Sequence, residues 1–268
     1  MGQVCVHRGT FPTSEATIWC SPDLKDAFEN PTLPVEHIPG GVRLNHTRHT
    51  VLRHCSFRRM GGVGLEINGG SQHTAVQGCW ISDVSGTGLL VGGNDECPHC
   101  PDCAKEGRAC PHALSPLMDY NLSVTDVVIS DVAQEYMGEL GVRTGFTRRL
   151  LFAHNTVCRT NWGAMSFGNG VRNRPHAALL SRSCARVSLT RNASLLQGGK
   201  WRTGNETYQG ENEVAWNRFT HWMETLCDSG ATYFLGPQKG SSHHHNHCVQ
   251  GGSGIEPDSG HSTSAHGG

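Results

Sequence analysis

The chain has 268 residues, with 22 Lys and Arg against 23 Asp and Glu and a formal net charge of −1. A balance this close to neutral gives no basic surface for nucleic acid, and no apolar run is long enough for a membrane-spanning helix, so neither partner is expected. Charged residues make up only 17% and glycines number 34, a composition that suits short strands joined by tight turns rather than long helices.

Taken in chain order, residues 1–40 carry Pro12, Pro22, Pro31, Pro34 and Pro39 and read as an irregular lead-in. Its first twenty residues lack a charged segment followed by an apolar one, so they do not read as a secretory signal peptide. Residues 41–249 form the main domain and open on a repeat. HTVLRHCSFRRMGGVGLEINGG (49–70) laid over HTAVQGCWISDVSGTGLLVGG (73–93) puts His49 on His73, Cys55 on Cys79, Phe57 on Ile81, Leu65 on Leu89 and Ile67 on Val91, all at a shift of 24 residues. A Cys-rich insertion occupies 94–119. The ISDV of 81–84 then recurs at 129–132, 48 residues on. Further units are expected at 149–170, 186–196 and 212–236, with longer loops at 171–185 and 197–211. Residues 250–268 hold almost no apolar side chains and read as a disordered Gly/Ser/His tail.

Each unit has short runs of alternating apolar residues, then glycines, then another short run. Alternation at period two marks half-buried strands, and the glycines mark corners. A second column sets the register: Cys55, Cys79, Val127, Asn155, Asn192, Asn217 and Asn246 each stand two residues before an apolar anchor, at intervals of 24, 48, 28, 37, 25 and 29 residues. Fixed rungs with loops of variable length predict an all-β right-handed parallel β-helix of about six to eight coils, since one coil cannot bury its apolar face alone and stacked coils can. A buried Asn recurring at one corner would form a ladder from coil to coil. On the same reasoning, Asp83 and Asp131, equivalent in the two ISDV segments, are corner residues.

The segments NLSVTDVVISDVAQEYMGELGV, LLFAHNTVCRTNWGAMSFGNG and NEVAWNRFTHWMETLCDSGATYFLGPQKGS resemble successive coils of the pectin-lyase-like superfamily, most of all its glycoside-hydrolase-like branch. The resemblance covers roughly residues 40–250. It implies a carbohydrate-active protein that binds a polysaccharide or glycan. Two departures bear on activity. The family's Asp-Gly-Gly rung reads Asp228-Ser229-Gly230 here, and the coils that normally follow it give way to SSHHHNHCVQ, which implies a truncated relative.

Cleaving a glycosidic bond takes two carboxylates. Asp228, in the rung just named, is the catalytic candidate, and Glu135, in a loop beside Tyr136 and Glu139, is the second. Asp228 also fits a plain turn before Ser-Gly. For substrate binding the candidates are His154, Trp162, Trp222 and Tyr233, with Trp201 and Trp216 as further aromatic faces for sugar rings. The expected activity is glycan binding with glycoside hydrolysis through Asp228, a polysaccharide lyase being the less favoured enzyme; the alternative is a non-catalytic glycan-binding or structural β-helix remnant. No cofactor is required. Cys97, Cys100, Cys103 and Cys110 have the spacing of a structural zinc site and equally of a disulfide-stapled loop. The 12 cysteines and the sequons at Asn45, Asn121, Asn192 and Asn205 point to an extracellular or secretory setting. A monomer is expected. His243, His244, His245 and His247 form a tract able to take up metal adventitiously.

Overall fold

A computed structural model of the chain describes residues 40–92, 119–167, 209–226, 229–235, 239–251, 253–258 and 265–266. In chain order the strands are β1 (Gly40–Asn45), β2 (Val51–Arg53), β3 (Ser56–Met60) and β4 (Val63–Asn68); β5 (Ala75–Gln77), β6 (Trp80–Val84) and β7 (Leu89–Val91); the short β8 (Asp119–Tyr120), then β9 (Ser123–Thr125), β10 (Val128–Val132) and β11 (Val142–Thr144); the short β12 (Thr147–Arg148), then β13 (Leu151–Ala153), β14 (Thr156–Thr160) and β15 (Met165–Phe167); β16 (Glu213–Ala215), β17 (Arg218–Thr220) and β18 (Gly230–Leu235); β19 (Ser242–His244), β20 (His247–Val249), β21 (Ser253–Asp258) and β22 (Ala265–His266).

They assemble into three parallel sheets. Sheet A runs β1-β4-β7-β11-β15-β18-β21, sheet B runs β2-β5-β9-β13-β16-β19-β22, and sheet C runs β3-β6-β10-β14-β17-β20. The chain passes from B to C to A and repeats, so each circuit lays one strand on each sheet. The 24-residue shift is the pairing register: Val51 faces Ala75, Phe57 faces Ile81 and Leu65 faces Leu89. Alternation sends every second side chain inward. Phe57, Ile81, Ile129, Val157 and Phe219 stack in one interior column, and Leu65, Leu89, Val142 and Met165 in another, all buried.

Between the sheets the chain turns on single residues in the left-handed conformation. Entering sheet B, these are His49, His73, Asn121, Arg149, Glu211 and Gly240; between B and C, His54, Gly78, Asp126, His154, Trp216 and His245; at the end of each sheet C strand, Arg59, Asp83, Asp131, Arg159, His221 and Gln250. None is β-branched, as the conformation demands. Their side chains stack outside the barrel. His49 lies over His73 at 4.8 Å with the rings 5° apart. Arg159 grips Asp131 through two bonds of 2.5 Å, and Arg59 stands 3.7 Å from Asp83.

Inside, the asparagine column is a continuous clip. Asn155 Oδ1 accepts from Val127 N at 2.9 Å, Asn217 Oδ1 from Asn155 N at 2.9 Å and Asn246 Oδ1 from Asn217 N at 2.9 Å. Lower down, Cys55 N donates to Cys79 Sγ at 3.4 Å; both thiols are free, and burial raises the pKa of Cys79. Sheet strands β13, β14 and β15 pair directly with β16, β17 and β18; Asn192 and the unit expected at 186–196 lie outside the described residues. A second ladder, not anticipated from the sequence, stands one residue before each sheet B strand, where Leu150 N donates to Asn212 Oδ1 at 2.8 Å and Asn212 N to Ser241 Oγ at 3.1 Å.

The stack also continues past residue 250. β21 pairs with β18 and β22 with β19, so the expectation of a disordered tail over 250–268 does not hold for 253–258 and 265–266. A strand added to an open edge is held by main-chain bonds, which composition does not report. The lead-in up to residue 39 and residues 93–118, with Cys97, Cys100, Cys103 and Cys110, lie outside the described residues.

Two predictions follow from these contacts. Asn217→Ala orphans the buried Asn155 N–H and Phe152 carbonyl that Asn217 satisfies; the expected loss in urea unfolding is about 2 kcal/mol or more, against under about 0.5 kcal/mol for the exposed control Asn45→Ala. The Arg159 guanidinium holds the Asp131 carboxyl below its ordinary pKa. A lowered carboxylate contributes stability above its unfolded pKa and loses it as the pH falls through the folded value. The stability difference between the wild type and Arg159→Gln is therefore present at neutral pH and vanishes in acid, below the usual carboxylate range; a difference independent of pH would contradict the pairing.

Candidate functional site

The outer face of sheet A carries the least compensated chemistry among the described residues. Register places Arg43, Glu66, Leu90, Arg143, Ser166 and Tyr233 in one row, one per coil, spaced by about 4.8 Å. Each lies between two inward residues of its strand, so alternation turns it outward. At the start of the row the charges are matched. Glu66 is fully buried, yet its Oε2 accepts from Gly40 N at 2.8 Å and lies 3.0 Å from Arg43 Nε, and its Oε1 accepts from Asn68 Nδ2.

Two coils on, the matching stops. Arg143 is only 8% exposed, and its Nη2 is buried with no hydrogen-bond partner. Ser166, next in the row, is 1% exposed, and its Oγ is also buried without a partner. Tyr233 follows, half-buried. A buried guanidinium nitrogen beside an unused hydroxyl is costly to maintain, and both groups call for an acceptor-rich partner.

The rim of this face is the connection from sheet C to sheet A. Glu135 is exposed there, in the β10–β11 connection, with its backbone N–H donating to Ser85 O at 3.2 Å. Glu139, in the same connection, is buried and accepts from Thr87 Oγ1. Asp228 belongs by sequence to the β17–β18 connection and lies outside the described residues. Its neighbour Ser229 is buried, with its Oγ in the space that a Cβ on Gly163 would need; the coil below must therefore be glycine for this serine to fit.

The expected substrate-binding residues do not come together. Tyr233 faces out of sheet A. His154 is exposed on the left-handed corner between sheets B and C, stacked 6.3 Å from Trp216 at 7°. Trp222 is 3% exposed within the main core, and Trp162 is 7% exposed in a small cluster with Leu140, against which Leu226 packs. These two indoles are packing residues and present no ring face to a groove. Trp216, 52% exposed, and Trp80, 51% exposed, are open indoles among the described residues. Arg143 and Ser166 went unrecognised in the sequence; the signal was the alternation in Val142-Arg143-Thr144, which turns the arginine outward between two inward neighbours.

No protein-family model matches the sequence, and no curated protein matches it. Among solved structures, a glycoside hydrolase superposes with a TM-score of 0.59 at 15% identity, covering 85% of this chain and 37% of the other. The A-modules of the mannuronan C-5 epimerases AlgE4 and AlgE6 of Azotobacter vinelandii superpose at 0.44 and 0.33, with 10% and 11% identity, each match covering 84% of this chain and 54% of the module. This chain thus spans little more than a third of the hydrolase's length and about half of each module's. Together with the parallel sheets, the likeness to the hydrolase places the chain among the right-handed parallel β-helix proteins.

Proposed function

We propose that this chain is a carbohydrate-active β-helix protein that holds a glycan along the outer face of sheet A, with Arg143, Ser166 and Tyr233 as the contact row. The observation that carries the reading is the buried, unpartnered pair of polar groups on Arg143 and Ser166. Sugar hydroxyls and carboxylates are dense in acceptors and supply what those groups lack. The structural likeness to a glycoside hydrolase supports the same reading.

Within that reading Asp228 is the proposed catalytic acid and Glu135 the second carboxylate. The β10–β11 and β17–β18 connections both lead from sheet C to sheet A, on coils two apart. The alternative is glycan binding without hydrolysis. It is favoured by Glu66 and Glu139, the buried carboxylates nearest the face, which are already engaged by Gly40, Arg43, Asn68 and Thr87.

A panel of neutral and acidic polysaccharides, scored for retention and for release of reducing ends, tests both readings. Arg143→Met is expected to lower retention of the bound glycan at least tenfold while raising thermal stability, because it removes a buried, unmatched cation. Asp228→Asn is expected to abolish release and spare retention. Retention unchanged by Arg143→Met would discard the proposed face; release unchanged by Asp228→Asn would discard the acid, and retention with no release in the wild type would establish the non-catalytic alternative.

A further inference from the structure

The histidines of 243–247 form one tract in the sequence, and the fold separates them. His243 points into the core, 2% exposed, with its Nε2 3.3 Å from Thr232 Oγ1 and 3.2 Å from Asn246 Nδ2. His247 is exposed on sheet C, beside Arg218. His244 closes β19 and His245 takes the following left-handed corner, at φ 52°. Those two remain together. Their Nδ1 atoms share a hydrogen bond of 2.8 Å and their rings stand at 90°.

Both rings are held from behind. Glu213 Oε1 lies 3.3 Å from His244 Nε2, so the proton sits on Nε2 and the His244 lone pair is at Nδ1, the arrangement by which a carboxylate orients a metal-binding imidazole. His245 stacks on the indole of Trp216, at 4.0 Å and 15°.

We propose that His244 and His245 form a surface site for a divalent copper or nickel ion, bound through the two Nδ1 atoms. Two donors at a right angle, with metal–nitrogen bonds of about 2.0 Å, stand about 2.8 Å apart, whereas a tetrahedral zinc would hold them at about 3.3 Å. The 2.8 Å between the two Nδ1 atoms is a hydrogen bond that the ion must replace, and it already holds both nitrogens at the separation of adjacent ligands. No group of three or more His, Cys, Asp or Glu is placed to hold a metal among the described residues. The protein therefore supplies two adjacent positions, and solvent or an incoming ligand fills the rest. When the metal enters, the proton on His245 Nδ1 moves through solvent to Nε2, with no net change in charge.

The test uses the full chain stripped of metal by a chelator and titrated with copper(II) chloride in the presence of glycine as competitor. Tryptophan fluorescence follows binding, and electron paramagnetic resonance reads the nitrogen ligands. Expected are saturable quenching, a signal from two nitrogens, and loss of both in His244→Gln and in His245→Asn, the latter chosen because Asn tolerates the left-handed corner. Glu213→Gln should weaken binding about 10- to 100-fold, and His247→Ala, in the same tract, should leave it unchanged. Wild-type affinity in either His244→Gln or His245→Asn, or an equal loss in His247→Ala, would overturn the site and reduce the tract to nonspecific uptake.

Discussion

Everything in this molecule hangs on how a coil turns. Each circuit is bent on single residues at φ between about +50° and +60°, a conformation that costs a non-glycine residue about 1–3 kcal/mol. The cost is offset because the turn puts each corner's main chain in reach of the next coil: His54 N donates to Gln77 O at 3.0 Å and Gly78 N to Thr125 O at 3.0 Å. The same geometry decides what a corner can carry. Its side chain cannot reach the interior, so whatever stands there is displayed, and equivalent positions stack. Histidine fits this role well: among the described residues His46, His49, His54, His73, His154, His221 and His245 are left-handed. The Arg59–Asp83 and Arg159–Asp131 ion pairs, the stacked His49 and His73 and the stack of His154, Trp216 and His245 are all products of one backbone requirement.

How legible the fold was in the sequence depends on where parity holds. Along β4 the apolar residues alternate without a gap, in β3 and β6 the inward Phe57 and Met60, Ile81 and Val84 stand three apart across a left-handed residue, and the 24-residue shift read from the letters is the pairing register throughout. The asparagine column was legible for Asn155, Asn217 and Asn246 because a buried amide at a fixed offset from an apolar anchor is an unusual demand. At Asn192, where RVSLTRNASLL offers the same local pattern, the reading lies outside the described residues. The candidate site was less legible. Trp162 and Trp222 lie in connections of varied length, where alternation no longer tells in from out, and their bulk was spent on packing. Trp216 and His154 follow a readable rule, since the residue just before the asparagine column is always the displayed corner.

The two distinctive surfaces differ in kind. On sheet A, Glu66 is buried with its bonds complete, whereas Arg143 is buried with Nη2 unmatched. The first arrangement stabilises the fold, and the second lowers stability in the absence of a ligand. The corner of His244 and His245 is exposed and held by ordinary contacts, so it asks little of the fold. An unmatched, desolvated position and an open, stacked one can therefore coexist three coils apart, because in a solenoid each coil interacts only with its immediate neighbours.

The asparagine clips also have a direction. Asn155 Nδ2 donates to Val124 O at 3.0 Å, Asn217 Nδ2 to Phe152 O at 2.9 Å and Asn246 Nδ2 to Val214 O at 2.8 Å, while each Oδ1 takes the amide of the coil before. Asn212 does the same with Thr147 O and Leu150 N. Each amide oxygen reaches back toward chain that leaves the ribosome earlier, while Asn155 Nδ2 and Asn217 Nδ2 also donate forward, to Asn217 Oδ1 at 3.1 Å and Asn246 Oδ1 at 2.9 Å. A coil just synthesised thus finishes the bonding of the one beneath it and leaves its own amide waiting for the next, so assembly from the amino end proceeds as ordered growth on a template that is already complete below its leading edge.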